Sequence, residues 1–277
     1  MTLSPTAVRE LLAGHGLQPS RALGQNFVAD PNTVRRVARL AGIGPGDRVV
    51  EIGAGLGSLT LALAETGADV TAVETDRHLV PILRTVVEAT GATVVHADAL
   101  TLDWDDLLGP ADPARPWVLV ANLPYNIATL LVLDLLADVP QIDRMLVMVQ
   151  LEVGERLAAT PGDKSYGIPS VKVAWWAGAQ VVGKVPPTVF VPPPRVDSAL
   201  VEIRRRPVAD DAATRAAVFA LVEAGFGQRR KMLRRSLAEL VPAEAFATAG
   251  VRPEARAEEL TLDDWCRLAA ATPAATP

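Results

Sequence analysis

Val49-Val50-Glu51-Ile52-Gly53-Ala54-Gly55-Leu56-Gly57 is the stretch that decides the fold of this chain. Asp47–Ile52 is a short β-branched run and predicts a strand. Three glycines on alternate positions follow it directly, and the residues from Ser58 to Glu65 have helical spacing. Working outward, the same alternation repeats. Strands are predicted at 69–73, 93–96, 117–121 and 145–149, and helices at 78–89 and 128–136. Upstream, the spacing predicts a helix over 6–14 and a loop over 18–30. Asp30-Pro31 then opens a helix running to about Leu40, with Asp30 as N-cap and Pro31 at the first helical position. Nearly all-apolar strands alternating with helices describe an α/β fold with a mostly parallel sheet covered on both faces.

After Gln150 the texture changes. A helix is predicted over 152–159, a turn over 161–164, and an apolar stretch of unassigned type over 171–179. Strands at 181–185 and 199–203 flank a proline-rich loop, 186–194, in which the prolines exclude ladder hydrogen bonding. Pro207 marks a boundary, and the remainder reads as helical to about Ala271. The expected organisation is a catalytic α/β domain over 1–206 and a small helical domain over 207–277.

The chain has 277 residues, 49 % hydrophobic and 21 % charged, which suits a globular protein. Mean hydropathy is +0.23, yet no run of about 18–20 apolar residues exists to span a membrane. Arg9 and Glu10 interrupt the first apolar segment, so no secretory pattern is expected. The single cysteine, Cys266, excludes an intramolecular disulfide and multi-cysteine zinc sites. His15, His78 and His96 lack metal-ligand spacing, and no metal is expected. These features point to a reducing cytoplasm. The net charge of −5 is unevenly distributed. Residues 65–112 hold ten acidic and two basic side chains, whereas 202–240 hold nine basic and five acidic ones. The overall charge therefore does not argue against a nucleic-acid partner.

The glycine turn can serve several ligands. A dinucleotide fingerprint, G-x-G-x-x-G, would place its third glycine where this chain has Ser58. A phosphate loop needs Gly-Lys-Ser/Thr, and no lysine is present. G-x-G-x-G behind an acidic residue, Glu51, is instead similar to the first motif of class I methyltransferases, which bind S-adenosylmethionine. Glu74 ends the second strand of this unit, 23 residues after Glu51, where a carboxylate can accept from ribose hydroxyls. Asp98 follows the next strand at a comparable place and could accept from the cofactor's adenine amino group.

Asn122-Leu123-Pro124-Tyr125 follows the strand at 117–121, at the sheet edge where open α/β folds bind ligands. The Asn122 side-chain oxygen and the Leu123 carbonyl can accept both hydrogens of an exocyclic amine and aim its lone pair. Pro124 stiffens the turn, and the Tyr125 ring offers a surface for an extruded base.

Several segments together resemble the ribosomal RNA adenine N6-dimethyltransferase family. They are Arg21–Phe27 (RALGQNF), the Glu51–Gly57 turn, Asn122–Ile127 (NLPYNI), Val149–Val153 with Glu155–Leu157, Val185–Ser198 (VPPTVFVPPPRVDS) and Phe226–Arg234 (FGQRRKMLR). The resemblance implies a Rossmann-like methyltransferase fold. It implies that Asn26, Val28, Glu51, Gly53, Gly55, Glu74, Asp98 and Asn122 frame an S-adenosylmethionine pocket. It also implies that Asn122, Leu123, Pro124 and Tyr125 hold the target adenine, with Phe190 stacking on its other face from an exposed loop. Ala54 stands where the family often has proline, and Val28 where leucine is common. Both changes conserve size.

Within the family the resemblance is nearest to the subgroup that dimethylates two adjacent adenosines near the 3′ end of small-subunit (16S) rRNA. The implied partner is that RNA within the small (30S) subunit or its precursor, bound by a monomer with no membrane involved. The alternatives are a 23S rRNA adenine N6-methyltransferase of the macrolide-resistance type and a non-catalytic ribosome assembly factor. Arg204, Arg205, Arg229, Arg230, Lys231 and Arg234 are the candidates for contacting RNA phosphates, which supply affinity and salt dependence rather than sequence choice.

Overall fold

The strands of the computed structural model are β1 (Phe27–Val28), β2 (Arg48–Ile52), β3 (Asp69–Glu74), β4 (Thr93–His96), β5 (Trp117–Asn122), β6 (Ile142–Gln150), β7 (Ala177–Val185), β8 (Phe190–Val191) and β9 (Ser198–Arg205). The structure describes residues 2–20, 22–207 and 211–273. Arg21, which opens the N-terminal motif, lies outside them.

Seven strands form one sheet in the order β4-β3-β2-β5-β6-β9-β7. From β4 to β6 every neighbouring pair is parallel, and β9 then runs antiparallel to β6. Parallel neighbours require crossovers, and the helices Ser58–Ala64, Val80–Val87, Trp104–Leu108 and Ala128–Asp138 supply them. Both faces are thereby covered, so Val49, Val50, Leu119 and Val120 are wholly buried. The chain leaves β2 toward one edge of the sheet and returns at β5 to build toward the other. The carboxyl ends of β2 and β5 therefore flank the point where strand order reverses, the standard ligand position in open α/β sheets.

Local signals set the helix starts as expected. Asp30 accepts the Thr33 amide at 2.8 Å and Pro31 opens the helix Pro31–Ala41, which ends at Gly42 in the left-handed region. The 186–194 loop differs from its reading. Phe190 and Val191, between the prolines, form β8 and pair antiparallel with β1, matching Val28 with Phe190. The prolines flank this two-residue ladder without interrupting it, so the segment is not free of ladder bonds. The stretch of unassigned type divides into the helix Ile168–Trp176 and the start of β7.

Cα proximity divides the chain into two units. The first comprises Met1–Glu155 and Ala179–Arg205, and the second Arg156–Gly178 and Arg206–Pro277. The second unit resumes at Arg206, one residue ahead of the expected division at 206/207, and it also takes in residues 156–178, with the helix at 168–176. Its own packing explains that membership. Trp265 is fully buried, lies tilted against Phe226 with centroids 6.3 Å apart, and would meet any Cβ added at Gly225. Tyr166 packs edge-on against Phe226 and donates its hydroxyl to the Leu260 carbonyl at 2.8 Å. Trp175 and Trp176 pack edge-on against Phe219. Among the described residues no helix is long and apolar enough to cross a membrane.

Candidate active site

A cavity lies at the reversal point and encloses about 740 Å³ of empty space, its open mouth included. Four segments far apart in sequence build it: residues 23–28, the turn after β2 with the start of the next helix, residues 74–79 after β3, and the turn after β5. Gly53, Gly55 and Gly57 all take positive φ, 73°, 59° and 86°. A non-glycine residue would be strained there. Space reinforces the point at Gly55, where an added Cβ would lie 2.9 Å from the Phe27 ring. The turn is anchored to β3, because the amides of Gly53 and Ala54 both donate to the Val73 carbonyl.

Glu74 fixes the turn from the same strand. One carboxylate oxygen accepts the Gly55 amide at 2.7 Å and the other accepts the Asp76 amide at 2.8 Å. Burial raises the Glu74 pKa, and these amide hydrogen bonds oppose the rise. Glu51 is 2 % exposed and accepts the Thr60 hydroxyl at 2.6 Å. Burial pushes its pKa up to about 8; the Thr60 hydrogen bond pulls it down, and the neighbouring Glu74 carboxylate raises it further. A ligand-free Glu51 thus holds its proton through neutral pH, and a cation at this wall would favour its release.

The Asn122 turn is equally well held. The Leu123 amide extends the β5–β6 ladder by donating to the Met148 carbonyl at 3.0 Å, and Pro124 then ends it. The Asn122 side-chain amide donates to the Asn26 carbonyl at 3.0 Å. With the NH₂ group so engaged, the side-chain oxygen is the remaining acceptor on the ligand side. The Tyr125 hydroxyl lies 2.9 Å from the Ser198 hydroxyl, and partial burial raises the phenol pKa. The N-terminal segment is pinned at Gly24 and Gln25. Gln25 donates to the Asp76 carboxylate at 2.8 Å, and Gly24, at φ 64°, lies so close to Pro124 and Asn126 that a Cβ would meet both.

The structure thus brings together Asn26, Val28, Glu51, Gly53, Gly55, Glu74, Asn122, Leu123, Pro124 and Tyr125 around one cavity. Three expected residues stand elsewhere. Asp98 is exposed beyond β4, accepts the Leu100 amide at 3.0 Å and does not line the cavity. Phe190 is not in an exposed loop: it is 3 % exposed, packed with Val34, Val185 and Leu200. The β1–β8 ladder turns it inward, so it offers no face to a ligand. Arg205 does not present its guanidinium to a phosphate. Its nitrogens donate to the carbonyls of Leu135, Leu136, Val139 and Ile142 at 2.7–2.9 Å, satisfying the end of the helix Ala128–Asp138 and tying it to the start of β6.

The remaining basic candidates are exposed. Arg204 pairs with Glu202 at 2.5 Å, Arg229 with Glu258 at 2.7 Å, and Arg234 with Glu254 at 3.7 Å. The segment 226–234 is a helix end, a turn through Arg230 and Lys231, and a short second helix, rather than one continuous helix. Ser58 was not singled out by its sequence. It lines the cavity, and its buried hydroxyl finds no partner within the protein, which a polar ligand would supply. Position 58 interrupts the dinucleotide pattern, but that pattern does not show that the hydroxyl is left unpaired. Among the described residues no cluster of histidine, cysteine and carboxylate could hold a metal ion.

A family model described as ribosomal RNA adenine dimethylase matches residues 17–272. A ribosomal RNA small subunit methyltransferase A from Kineococcus radiotolerans is 50 % identical over 281 residues, covering 98 % of this chain and 92 % of that protein. Among solved structures, the 23S rRNA methyltransferase ErmE aligns with a TM-score of 0.67 and 28 % identity, over 89 % of this chain and 99 % of that one. A dimethyladenosine transferase from Plasmodium falciparum aligns with a TM-score of 0.71 and 22 % identity, over 87 % and 95 % of the two chains, a likeness of fold.

Proposed function

The chain belongs to the ribosomal RNA adenine dimethylase family, and on that premise we propose that it methylates N6 of two adjacent adenosines near the 3′ end of 16S rRNA. The product is N6,N6-dimethyladenosine, the methyl donor S-adenosylmethionine, and the substrate the small (30S) subunit or its precursor, engaged by a monomer in the cytoplasm. The observation that carries the choice of target is the contrast in similarity. Identity is 50 % across nearly the whole chain to a small-subunit methyltransferase and 28 % to a 23S enzyme.

The residues present fit S-adenosylmethionine. The glycines at positive φ leave bare main chain where a Cβ would fill the cradle, and the Ser58 hydroxyl is a buried polar atom awaiting a partner. The buried carboxyls of Glu51 and Glu74 suit a cationic molecule that carries ribose hydroxyls. Asn26 and Val28 line the same cavity, and Asp98, exposed at the same sheet edge, is assigned to the adenine end. When bound, the cofactor supplies an electrophilic methyl group on a sulfonium.

The protein's own task is to present the adenine nitrogen. Asn122 is held by Asn26 so that its side-chain oxygen accepts one N6 hydrogen, and the Leu123 carbonyl accepts the other. Two acceptors in one plane aim the nitrogen lone pair at the cradle. Tyr125 supplies a flat surface for the extruded base, worth about 1–3 kcal/mol in comparable stacks. No side chain need remove a proton before attack, so positioning and fixed dipoles carry the rate. In this reading the first unit performs the chemistry and the second contributes RNA contacts through Arg229, Arg230, Lys231 and Arg234, with Arg204 as an additional contact.

The test is transfer of labelled methyl groups to unmethylated small subunits, with large subunits in parallel, followed by mapping of the modified nucleoside. Dimethyladenosine at adjacent positions near the small-subunit 3′ end is the expected result. Label confined to large-subunit RNA would move the target to 23S rRNA. Binding without transfer would leave an assembly factor.

A further inference from the structure

We infer that Ser198 is a positioning residue for base capture: it holds the direction in which the Tyr125 side chain points through the hydrogen bond between their hydroxyls. The inference rests on the reading of Tyr125 as the adenine-stacking surface and names a residue to which that reading gave no role. The two hydroxyl oxygens are 2.9 Å apart, although the residues are separated by 73 positions. Ser198 is 0 % exposed and begins β9. Its own position is fixed by the ladder, opposite Gln150 at the end of β6, and the next ladder bond runs from the Leu151 amide to the Asp197 carbonyl. Asn122 stands opposite Met148 on that same β6. The β5–β6–β9 ladder therefore sets both the acceptor, Asn122, and the anchor of the ring, Ser198, in one rigid frame.

A tyrosine side chain has two free torsions. The turn through Pro124 restrains the backbone, and the bond to Ser198 restrains the Cα–Cβ torsion, which would otherwise swing the hydroxyl end of the ring away. A ring fixed at its hydroxyl end is pre-organised to receive a base, so less freedom is lost when the base arrives. Ser198 does not line the cavity in which the cofactor is placed. Its loss should leave cofactor affinity intact while slowing productive capture of the adenine.

The test is a double-mutant cycle on methyl transfer to small subunits, using Ser198→Ala, Tyr125→Phe and the pair. Ser198→Ala should lower kcat on the order of tenfold, with calorimetric affinity for S-adenosylmethionine within twofold of wild type. Tyr125→Phe keeps the ring but not its anchor and should fall by a similar factor. The double variant should be no slower than Tyr125→Phe alone. Equal falls from Ser198→Ala in the Tyr125 and Phe backgrounds, or loss of cofactor affinity, would overturn the inference and leave Ser198 a packing residue. If Ser198→Ala does not fold, Tyr125→Phe decides, since a wild-type rate there excludes any role for the anchor. No transfer by the wild-type protein would overturn the underlying reading, and the inference with it.

Discussion

The side-chain amide of Asn122 donates to the main-chain carbonyl of Asn26, 3.0 Å away across 96 residues of sequence. One hydrogen bond therefore couples the proposed adenine-binding turn to the N-terminal wall of the cofactor cavity and fixes which end of the Asn122 amide faces the substrate. Asn122→Ala should lower methyl transfer at least about 100-fold, the scale of removing one pre-organised polar group at a reacting centre. Small-subunit binding measured by filter retention should change less than twofold. Asn122→Asp should be as inactive, because a carboxylate cannot donate to Asn26. Near-normal turnover by either variant would remove Asn122 from the chemistry.

Gly55 carries the tightest constraint in the glycine turn. Its φ of 59° and the Phe27 ring, 2.9 Å from where a Cβ would stand, both oppose any side chain. Gly55→Ala should destabilise the protein by about 1–3 kcal/mol and weaken S-adenosylmethionine binding by more than tenfold in calorimetry. Gly178→Ala, where nothing lies within 4 Å of the added methyl, is the control and should bind cofactor normally. Equal affinities for the two variants would show that the cradle does not depend on bare backbone.

The buried Glu51 makes ligand-free stability depend on pH. Its pKa is about 8 in the folded protein against an ordinary 4.5. Below 4.5 both folded and unfolded chains hold the proton, and the group contributes no difference. Between 4.5 and 8 the unfolded chain releases it and the folded one does not, so stability falls as pH rises and levels off above 8. Glu51→Gln removes this dependence, on the order of a few kcal/mol at pH 8.5. Thermal melts should show the variant equal to wild type near pH 4.5 and more stable by about 5 °C or more at pH 8.5. Parallel curves across that range would mean that Glu51 ionises normally.

Arg205 and the basic turn at 229–234 separate by their salt response. Arg205 holds three carbonyls at the end of the helix Ala128–Asp138 and a fourth at the start of β6, so Arg205→Ala should cost about 2–4 kcal/mol of stability. Lysine should not rescue it, since one ammonium cannot replace the planar fork. Its small-subunit affinity should keep the wild-type salt slope. Replacing Arg229, Arg230, Lys231 and Arg234 together with alanine should lower affinity and flatten that slope. An unchanged slope in the fourfold variant would place the RNA contacts elsewhere.

What the sequence determined by itself is local. The β-branched run into Gly53–Gly57 dictates a strand, a turn and a helix, because three alternating glycines release the backbone to positive φ. Asp30-Pro31 starts a helix because cap and ring chemistry act within three residues. Asn122–Tyr125 is legible as a turn, and is proposed to hold an amine, because its acceptors and ring are adjacent in the chain. What only the tertiary structure decided is non-local. The ladder from β1 to β8 turned Phe190 into the core, where flanking prolines alone suggest exposure. Carbonyls of the helix end at 135–139 and of Ile142 in β6 captured Arg205, which its arginine neighbours present as a phosphate contact. The antiparallel return of β9 carried Ser198 to Tyr125, and the aromatic packing around Trp265 and Phe219 drew the helix at 168–176 into the second unit. Pairings of this kind depend on which distant groups find each other's hydrogen bonds and apolar faces, and no spacing within one segment encodes that choice.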